Sequence, residues 1–295
     1  MKDTTRSLPS TPAPEMRRLP FGRRRPVTAF LIAAFGIGWS LLTVPHVAGV
    51  PTDFFLLTLV FFALLAPALV VTRAAGGPGA VRRFLSRALI WRFGALRWAV
   101  ILLGMPSLTV GIAAVTGTLD APDDGWEGVV ALYLFSTLIF GALILNIWEE
   151  AAWGGFAQSR LMARHGLLAA SLLTAPLFAG IHLPLLFADD PSTSSVLVGA
   201  ALLFGAAPFY RYLLGMHLLD TGGSILAIGV QHAAWNAAAN LDPVRGDWQV
   251  VVAAVLLTLG VATARRLRQP TSHQGGRDAE KAAAAAWTET RPDPA

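Results

Sequence analysis

Two adjacent glutamates, Glu149 and Glu150, are the residues of this sequence with the clearest capacity for acid–base chemistry. On a helix, neighbouring side chains point about 100° apart, so both carboxylates can border one cavity without sharing one position. A carboxylate in a site of low dielectric constant, beside a like charge, is suited to act as a general base near neutral pH. The structural alternative is a pair of interfacial carboxylates that closes a membrane-spanning helix.

Three further polar residues lie in apolar segments downstream of the glutamates. His182 stands alone, whereas His232 and Asn236 have the i,i+4 spacing that places both side chains on one helix face. There, Asn236 can fix the histidine tautomer or hold an oxyanion. A hydrogen-bonded packing histidine and a polar contact between helices are the structural alternatives. Three weaker candidates for supporting or capping roles are Asn146, Asp220 and Asn240.

Together, the five candidates could activate a water molecule and stabilise the oxyanion of an amide during hydrolysis. A glutamate can activate the water alone, as a base, or beside a histidine-bound metal ion. The sequence has neither the His-Glu-x-x-His motif of zinc proteases nor the Gly-x-Ser-x-Gly motif of serine hydrolases. It also has no cysteine, which excludes thiol nucleophiles, thiolate zinc sites and disulfides.

The elements that position these residues follow from a composition that is 54% hydrophobic and 14% charged, with a mean hydropathy of +0.56. A typical soluble domain is about 45–50% apolar and about 25% charged. A chain of 295 residues with so few charges lacks the polar side chains to cover its own surface, which excludes a soluble globule. Disorder of the whole chain is also excluded, because it requires low hydrophobicity. The sequence therefore predicts an all-α integral membrane protein.

About eight apolar segments are long enough to cross a bilayer, for which a helix needs about 20 residues. They are Val27–Val44, Phe54–Thr72, Leu96–Thr116, Val129–Trp148, Leu167–Phe187, Val196–Leu214, Ser224–Leu241 and Trp248–Ala264. Their continuous apolar character favours helices over barrel strands, in which apolar and polar residues alternate. We therefore predict a bundle of eight transmembrane helices with an intramembrane cavity over residues 27–264, between disordered polar tails at 1–26 and 265–295.

The distribution of lysine and arginine predicts the orientation of the bundle. With a cytoplasmic N-terminus, 22 of the 23 basic residues lie on the inner side and only Arg245 lies outside. We therefore expect both termini to be cytoplasmic and the membrane to be the plasma membrane of a bacterium. The inner arginines favour anionic lipids of the inner leaflet as partners. They do not favour nucleic acid, because the chain lacks a folded soluble face to carry them.

Three ordered motifs carry a resemblance to a known family: Glu149-Glu150-x-x-Trp153, Phe178-x-x-x-His182 and His232-x-x-x-Asn236. Over about residues 125–241, the chain resembles the CPBP family, the CAAX-protease and bacteriocin-processing intramembrane proteases. This family is also called the type II CAAX prenyl endopeptidase or ABI family. The resemblance implies an eight-helix bundle with a cavity open to the cytoplasm, and hydrolysis of peptide bonds in a membrane-associated peptide or protein.

The resemblance also implies roles for the five candidates. Glu149 and His182 would activate water, with Glu150 assisting, and His232 with Asn236 would polarise the scissile carbonyl or form the oxyanion hole. The family has been labelled metalloprotease, and a metal-independent glutamate mechanism is also argued for its members. If a zinc ion is present, the resemblance implies that His182 and His232 would hold it with Glu149.

One position departs from the family motif Glu-Glu-x-x-x-Arg, because Gly154 stands where the arginine is expected. Two other arginines, Arg160 on the same stretch and Arg211 on another predicted helix, are not secure replacements by their spacing. The departure motivates a second hypothesis, a catalytically impaired relative that acts as a membrane scaffold or immunity protein. A third hypothesis is a proton-coupled transporter, since buried glutamate and histidine also mark ion pathways.

The predicted spans set a geometric condition for catalysis. A fourth span that ends at Trp148 leaves Glu149 at the cytoplasmic membrane surface, whereas His182 lies about 20 Å along the fifth span. The two can meet only if the fourth helix continues past Trp153 or the fifth starts later. The absence of proline from Ala151–Met162 favours continuation, while Gly154-Gly155 favours a break.

Overall fold

The computed structural model describes residues 21–48, 53–123, 125–187, 191–268 and 273–288, which are largely helical. Within these ranges we number ten helices. They are α1 Pro26–Ala48, α2 Phe55–Gly76, α3 Pro78–Ser86, α4 Ala95–Val115, α5 Gly125–His165, α6 Leu167–Ile181, α7 Thr193–Asp220, α8 Ile225–Ala239, α9 Trp248–Arg268 and α10 His273–Thr288. Short helical turns lie at Phe21–Arg24, Arg87–Leu89 and Leu183–Phe187. The predicted all-α fold is confirmed.

Seven helices of the described ranges are long and apolar enough to cross a membrane: α1, α2, α4, α5, α6 with the turn that follows it, α7 and α9. The predicted span Ser224–Leu241 differs, because the helix there is α8, with only 15 residues. Such a helix reaches about 22 Å, less than the roughly 30 Å of hydrocarbon in a bilayer. It begins at Ile225, where the Ser224 Oγ caps it by accepting from the amide of Ala227 at 3.0 Å after two glycines of positive φ, and it ends at Ala239, two residues before the predicted end.

Helix α8 lies inside the bundle, where it packs against α4, α5 and α7. Every residue from Ala227 to Ala234 is buried. Its Gly229 meets α5 so closely that a Cβ atom there would lie 2.7 Å from the Cα of Ile147. Since lipid is as apolar as a leucine side chain, close packing of small residues is what holds helices together in a membrane.

Helix α5 is continuous for 41 residues, so the predicted end of the fourth span at Trp148 is wrong. Gly154-Gly155 does not break it. Both glycines lie in wide π-helical turns at Ala151–Gln158, a stretch in which every residue is buried. A Cβ on Gly154 would lie 2.3 Å from Cδ1 of Ile228, so this glycine is a point of close approach between α5 and α8. As a result, Glu149 lies within the bundle.

The predicted disorder of residues 265–295 is wrong in part. Residues up to Arg268 extend α9, and α10 packs against the C-terminal end of α5. Ala284 is fully buried there, and the Arg87 guanidinium lies 5.3 Å from the centre of the Trp287 ring. The alanine-rich stretch Glu280–Trp287, for which the sequence predicts a short helix within the tail, has high helix propensity and lies in α10. Of the predicted tails, residues 1–20, 269–272 and 289–295 lie outside the described residues.

Candidate active site

The continuation of α5 brings four of the five predicted site residues together. Oε1 of Glu149 lies 3.6 Å from Nε2 of His182, at the end of α6. On α8, Nδ1 of His232 lies 3.0 Å from Oε1 of Glu150 and 3.9 Å from Oε2 of Glu149. Glu149 and His182 therefore meet because the fourth predicted helix continues past Trp153, and not because the fifth starts later.

The fifth residue, Asn236, reaches the carboxylates through another asparagine. Its Nδ2 lies 3.4 Å from Oδ1 of Asn146, whose own Nδ2 lies 3.4 Å from Oε2 of Glu149. By its sequence Asn146 is only a weaker candidate, yet it is fully buried and contacts the site directly. Asn146 precedes Glu149 by one helical turn, and this spacing is the sequence feature that places it on the same face as the glutamate.

The two neighbouring carboxylates have different surroundings. Both oxygens of Glu150 accept hydrogen bonds from Nη1 of Arg211, at 2.7 and 3.0 Å, and Oε1 also faces His232. By contrast, Oε1 of Glu149 is buried and has no hydrogen-bond partner within the described ranges. Glu150 is therefore held in place, whereas Glu149 keeps one oxygen free to act on another molecule.

Arg211 is a residue of the site that was not predicted from the sequence. It lies near the end of the predicted span Val196–Leu214 and is counted among the inner basic residues, but α7 continues to Asp220 and buries Arg211 completely. Oε1 of Gln158 accepts from Nε and Nη2 of the guanidinium, at 3.0 and 2.6 Å, and fixes its plane. A lone arginine in an apolar segment indicates that it pairs with a buried carboxylate, here that of Glu150, since an isolated cation is costly within a membrane.

The part of the chain that carries this cluster also matches a known family. Residues 130–238, a little over a third of the chain, match the family model described as type II CAAX prenyl endopeptidase Rce1-like. This segment is similar to that family, and we call it the Rce1-like domain. The match covers nearly the range over which the sequence motifs predicted the family, and it confirms that prediction. Among curated proteins, none matches the chain.

Two cavities flank the polar cluster of the Rce1-like domain. The larger, of about 950 Å³, lies between the first half of α5 and α8 and is bordered by Asn146 and Asn236. The smaller, of about 350 Å³, is bordered by His182, His232 and mainly apolar side chains of α6, α7 and α9. Asn236 borders both cavities. A molecule bound in either one therefore lies next to the groups that surround Glu149.

The larger cavity extends to Asp123, just before α5, and to Asp242, just after α8. In the orientation predicted from the basic residues, these two aspartates lie on the side away from the cytoplasm. In that orientation the larger cavity does not open to the cytoplasm. It is then not the cytoplasmic cavity that the family resemblance implies. The orientation and the cytoplasmic opening both stay predictions.

Aromatic rings enclose the polar cluster of the Rce1-like domain. The ring of Phe178 lies 4.9 Å from the ring of His182 and 5.8 Å from that of His232, and the Arg211 guanidinium lies 5.2 Å from its centre. Tyr210 packs edge-on against His232 at 5.3 Å. These rings hold both imidazoles in position and keep water away from the Glu150–Arg211 pair, which strengthens its electrostatic attraction.

The arrangement of donors does not fit the zinc site implied by the resemblance. Among the residues described, no group of three or more histidine, aspartate and glutamate side chains is placed to hold a metal ion. His182, His232 and Glu149 are near one another, but Nδ1 of His232 is directed at the two carboxylates. The guanidinium of Arg211 also lies 2.7 Å from Glu150, so a divalent cation bound here would face a second positive charge.

Proposed function

We propose that the Rce1-like domain is an intramembrane endopeptidase that hydrolyses a peptide bond of a membrane-associated protein or peptide, with Glu149 as general base. The observation that carries this proposal is the unpartnered Oε1 of Glu149, buried beside His182. A buried carboxylate oxygen without a partner is costly unless a bound molecule donates a hydrogen bond to it. A water molecule is the simplest such donor, and hydrolysis requires an activated water.

His182 is oriented to assist with this water. Its Nδ1 lies 2.7 Å from the carbonyl oxygen of Phe178. Since a carbonyl oxygen only accepts, the proton of a neutral ring is on Nδ1, and Nε2 is an acceptor. The 3.6 Å between Nε2 and Oε1 of Glu149 is a gap that one water can bridge by donating to both atoms, at about 2.8 Å each. Its oxygen lone pair is then free to attack.

The proposed reaction balances with one water molecule and no metal ion. The water gives a proton to Glu149 while its oxygen forms a bond to the scissile carbonyl carbon. The electrons of the carbonyl π bond move to its oxygen, and that oxyanion accepts hydrogen bonds from Asn236 and from an N–H of the His232 ring. On collapse the carbon–nitrogen bond breaks, and the leaving nitrogen takes the proton from Glu149. The products are a carboxylic acid and an amine.

Glu150 has a supporting role in this scheme. Its Oε1 lies 3.0 Å from Nδ1 of His232, so the N–H of the ring donates to it and the ring orientation is fixed. Both oxygens are already bound by Arg211, which leaves Glu150 poorly placed to take a proton from water. The reaction therefore assigns the two adjacent carboxylates different tasks, with Glu149 as the base and Glu150 as the anchor for His232.

The test is cleavage of a membrane-presented peptide by the purified full-length protein in liposomes. Glu149→Ala should lower kcat by about 10²–10⁴-fold, the usual contribution of a general base. Glu127→Ala is the matched control, because Glu127 is an exposed glutamate on the same helix, and it should keep wild-type activity. Full activity of the Glu149 variant would contradict the proposal.

The same liposomes separate the proposal from the other two hypotheses. A catalytically impaired scaffold would show no cleavage in the wild type, and its function would survive Glu149→Ala. A proton-coupled transporter would acidify or alkalise the liposome interior when substrate is added. Wild-type cleavage without proton flux favours the peptidase over both.

A further inference from the structure

The space beside Gly154 contains a guanidinium that comes from another helix. A Cβ atom on Gly154 would lie 2.8 Å from Oε2 of Glu150 and 3.5 Å from Nη2 of Arg211. The same atom would lie 2.3 Å from Cδ1 of Ile228. Position 154 therefore faces the Glu150 carboxylate, one helical turn on, but its volume is already taken by side chains of α7 and α8.

We propose that Arg211 takes over, from α7, the place that the family motif gives to an arginine at position 154. In this role Arg211 is a positioning residue, which holds Glu150 and through it His232. The inference rests on the proposed function, because it assigns Arg211 a part in the same reaction. It also fits the departure at Gly154, because Ile228 lies where a side chain at position 154 would begin, and Arg211 supplies a guanidinium to Glu150 from α7.

The contacts of Arg211 are those of a group that fixes a carboxylate. Nη1 binds both oxygens of Glu150, at 2.7 and 3.0 Å, while Nε and Nη2 both donate to Gln158. Gln158 is held in turn, because its Nε2 donates to the backbone oxygen of Arg211 at 2.8 Å and to Ser171 Oγ at 3.1 Å. A planar guanidinium can bind two partners in fixed directions, whereas a lysine ammonium cannot hold the same geometry.

The other arginine that the sequence offered, Arg160, does not reach the site. Its Nη1 donates to the backbone oxygen of Phe156 at 3.1 Å, and its guanidinium lies 3.8 Å from the centre of the Phe156 ring. It lies on α5 directly after the buried residues Ala151–Ser159. Arg160 is therefore a matched control for Arg211, since both arginines were candidates and only one contacts Glu150.

The experiment measures kcat and KM for four variants of the full-length protein in liposomes. Arg211→Gln should lower kcat by about 10–100-fold, as loss of a partner that orients a functional side chain does, with little change in KM. Arg211→Lys should keep part of the lost activity, because it retains the charge but not the fork geometry. Arg160→Gln should match the wild type. Gly154→Arg should lower activity, because it adds a second guanidinium and collides with Ile228.

Two results would overturn the assignment: wild-type kcat in Arg211→Gln, or a higher kcat in Gly154→Arg. Either would show that Arg211 does not stand in for the missing arginine. If the wild type itself shows no Glu149-dependent cleavage, the proposed function fails, and the catalytic part of this inference fails with it. Wild-type cleavage that is insensitive to Arg211→Gln overturns only the inference.

Thermal unfolding tests the pairing without any activity. Arg211→Gln removes the cation that binds both oxygens of the buried Glu150, so the unfolding temperature should fall, and adding Glu150→Gln should restore part of the loss. A double variant that is no more stable than Arg211→Gln would contradict the pairing. If the double variant recovers stability but not kcat, Arg211 and Glu150 contribute to the reaction by positioning His232 and not only to the stability of the fold.

Discussion

In the first half of α5, Leu132, Phe135, Phe140 and Leu143 are each more than half exposed, whereas in the second half every residue from Ala151 to Gln158 is buried. The exposed half is made of large apolar residues. The buried stretch contains alanine, glycine, two aromatic residues and the polar Gln158, and it follows two glutamates. In a soluble protein the apolar half would be the buried one. In a membrane, large apolar residues can face lipid, while charges must be enclosed by protein. The more polar half of α5 is thus the one that must lie inside.

Two of the three tryptophans of α5, Trp153 and Trp126, provide the sharpest test of this comparison. Trp153 is fully buried between Phe30 and Phe178, with ring centres 5.7 and 5.9 Å away, whereas Trp126 is 46% exposed. Trp153→Ala should lower the free energy of unfolding by about 3–5 kcal/mol, because it leaves a large cavity among packed side chains. Trp126→Ala should change it by less than about 0.5 kcal/mol. Chemical unfolding in detergent micelles measures both, and equal losses would contradict the comparison.

Much of the fold could be predicted because apolar runs of about 20 residues are the main requirement for spanning a bilayer. Two features could not be predicted in this way. Glu149-Glu150 looks like the end of a span, because a hydropathy pattern cannot distinguish a charge at the membrane surface from a charge enclosed by protein. The length of α8 was missed for a related reason, since a hydropathy pattern shows neither that Ser224 caps the helix nor that the helix ends at Ala239, before Asn240.

The candidate site could be predicted in its residue types but not in its pairings. Glu149, Glu150 and His232 stand out as polar residues in apolar surroundings, and spacing places Asn236 with His232. The partner of Glu150 is 61 residues away in sequence, so only the packing of α7 against α5 reveals it. The free oxygen of Glu149 likewise depends on which donors reach it from three other helices, which no local spacing encodes.

A second test concerns the contact that encloses the buried half. A Cβ on Gly229 would lie 2.7 Å from the Cα and 3.0 Å from the backbone nitrogen of Ile147, and backbone atoms cannot move aside cheaply. Gly229→Ala should therefore destabilise the protein by about 1–3 kcal/mol and lower activity, because it pushes α8 and His232 away from α5. Gly111→Ala is the control, since nothing lies within 4 Å of a Cβ at that exposed position of α4.

Thermal unfolding and kcat should be measured for both glycine variants. The control should be neutral or more stable by up to about 1 kcal/mol, since alanine favours a helix over glycine. Unchanged stability in Gly229→Ala would mean that α8 does not pack on α5 as closely as the structure places it.

The smallest expected effect concerns α10, which covers the C-terminal end of the buried half. Burial raises the pKa of Glu280 above its ordinary value of 4.5, even though Arg265, 3.5 Å away, lowers it. The folded state then binds a proton more readily than the unfolded state, so stability should decrease as pH rises from about 4.5 through the folded pKa. The slope should be shallow, because the Glu280 side chain is still 24% exposed and solvent screens its charge.

Glu280→Gln removes this titration and should flatten the dependence of the unfolding temperature on pH in that window. Asp278→Asn is the matched control, because Asp278 is exposed on the same helix and its neutralisation should leave the slope as it is. If Glu280→Gln instead lowers stability most at neutral pH, the attraction of Arg265 outweighs burial. The cover over the buried half of α5 would then depend on an ion pair and not on the apolar face that contains Ala284.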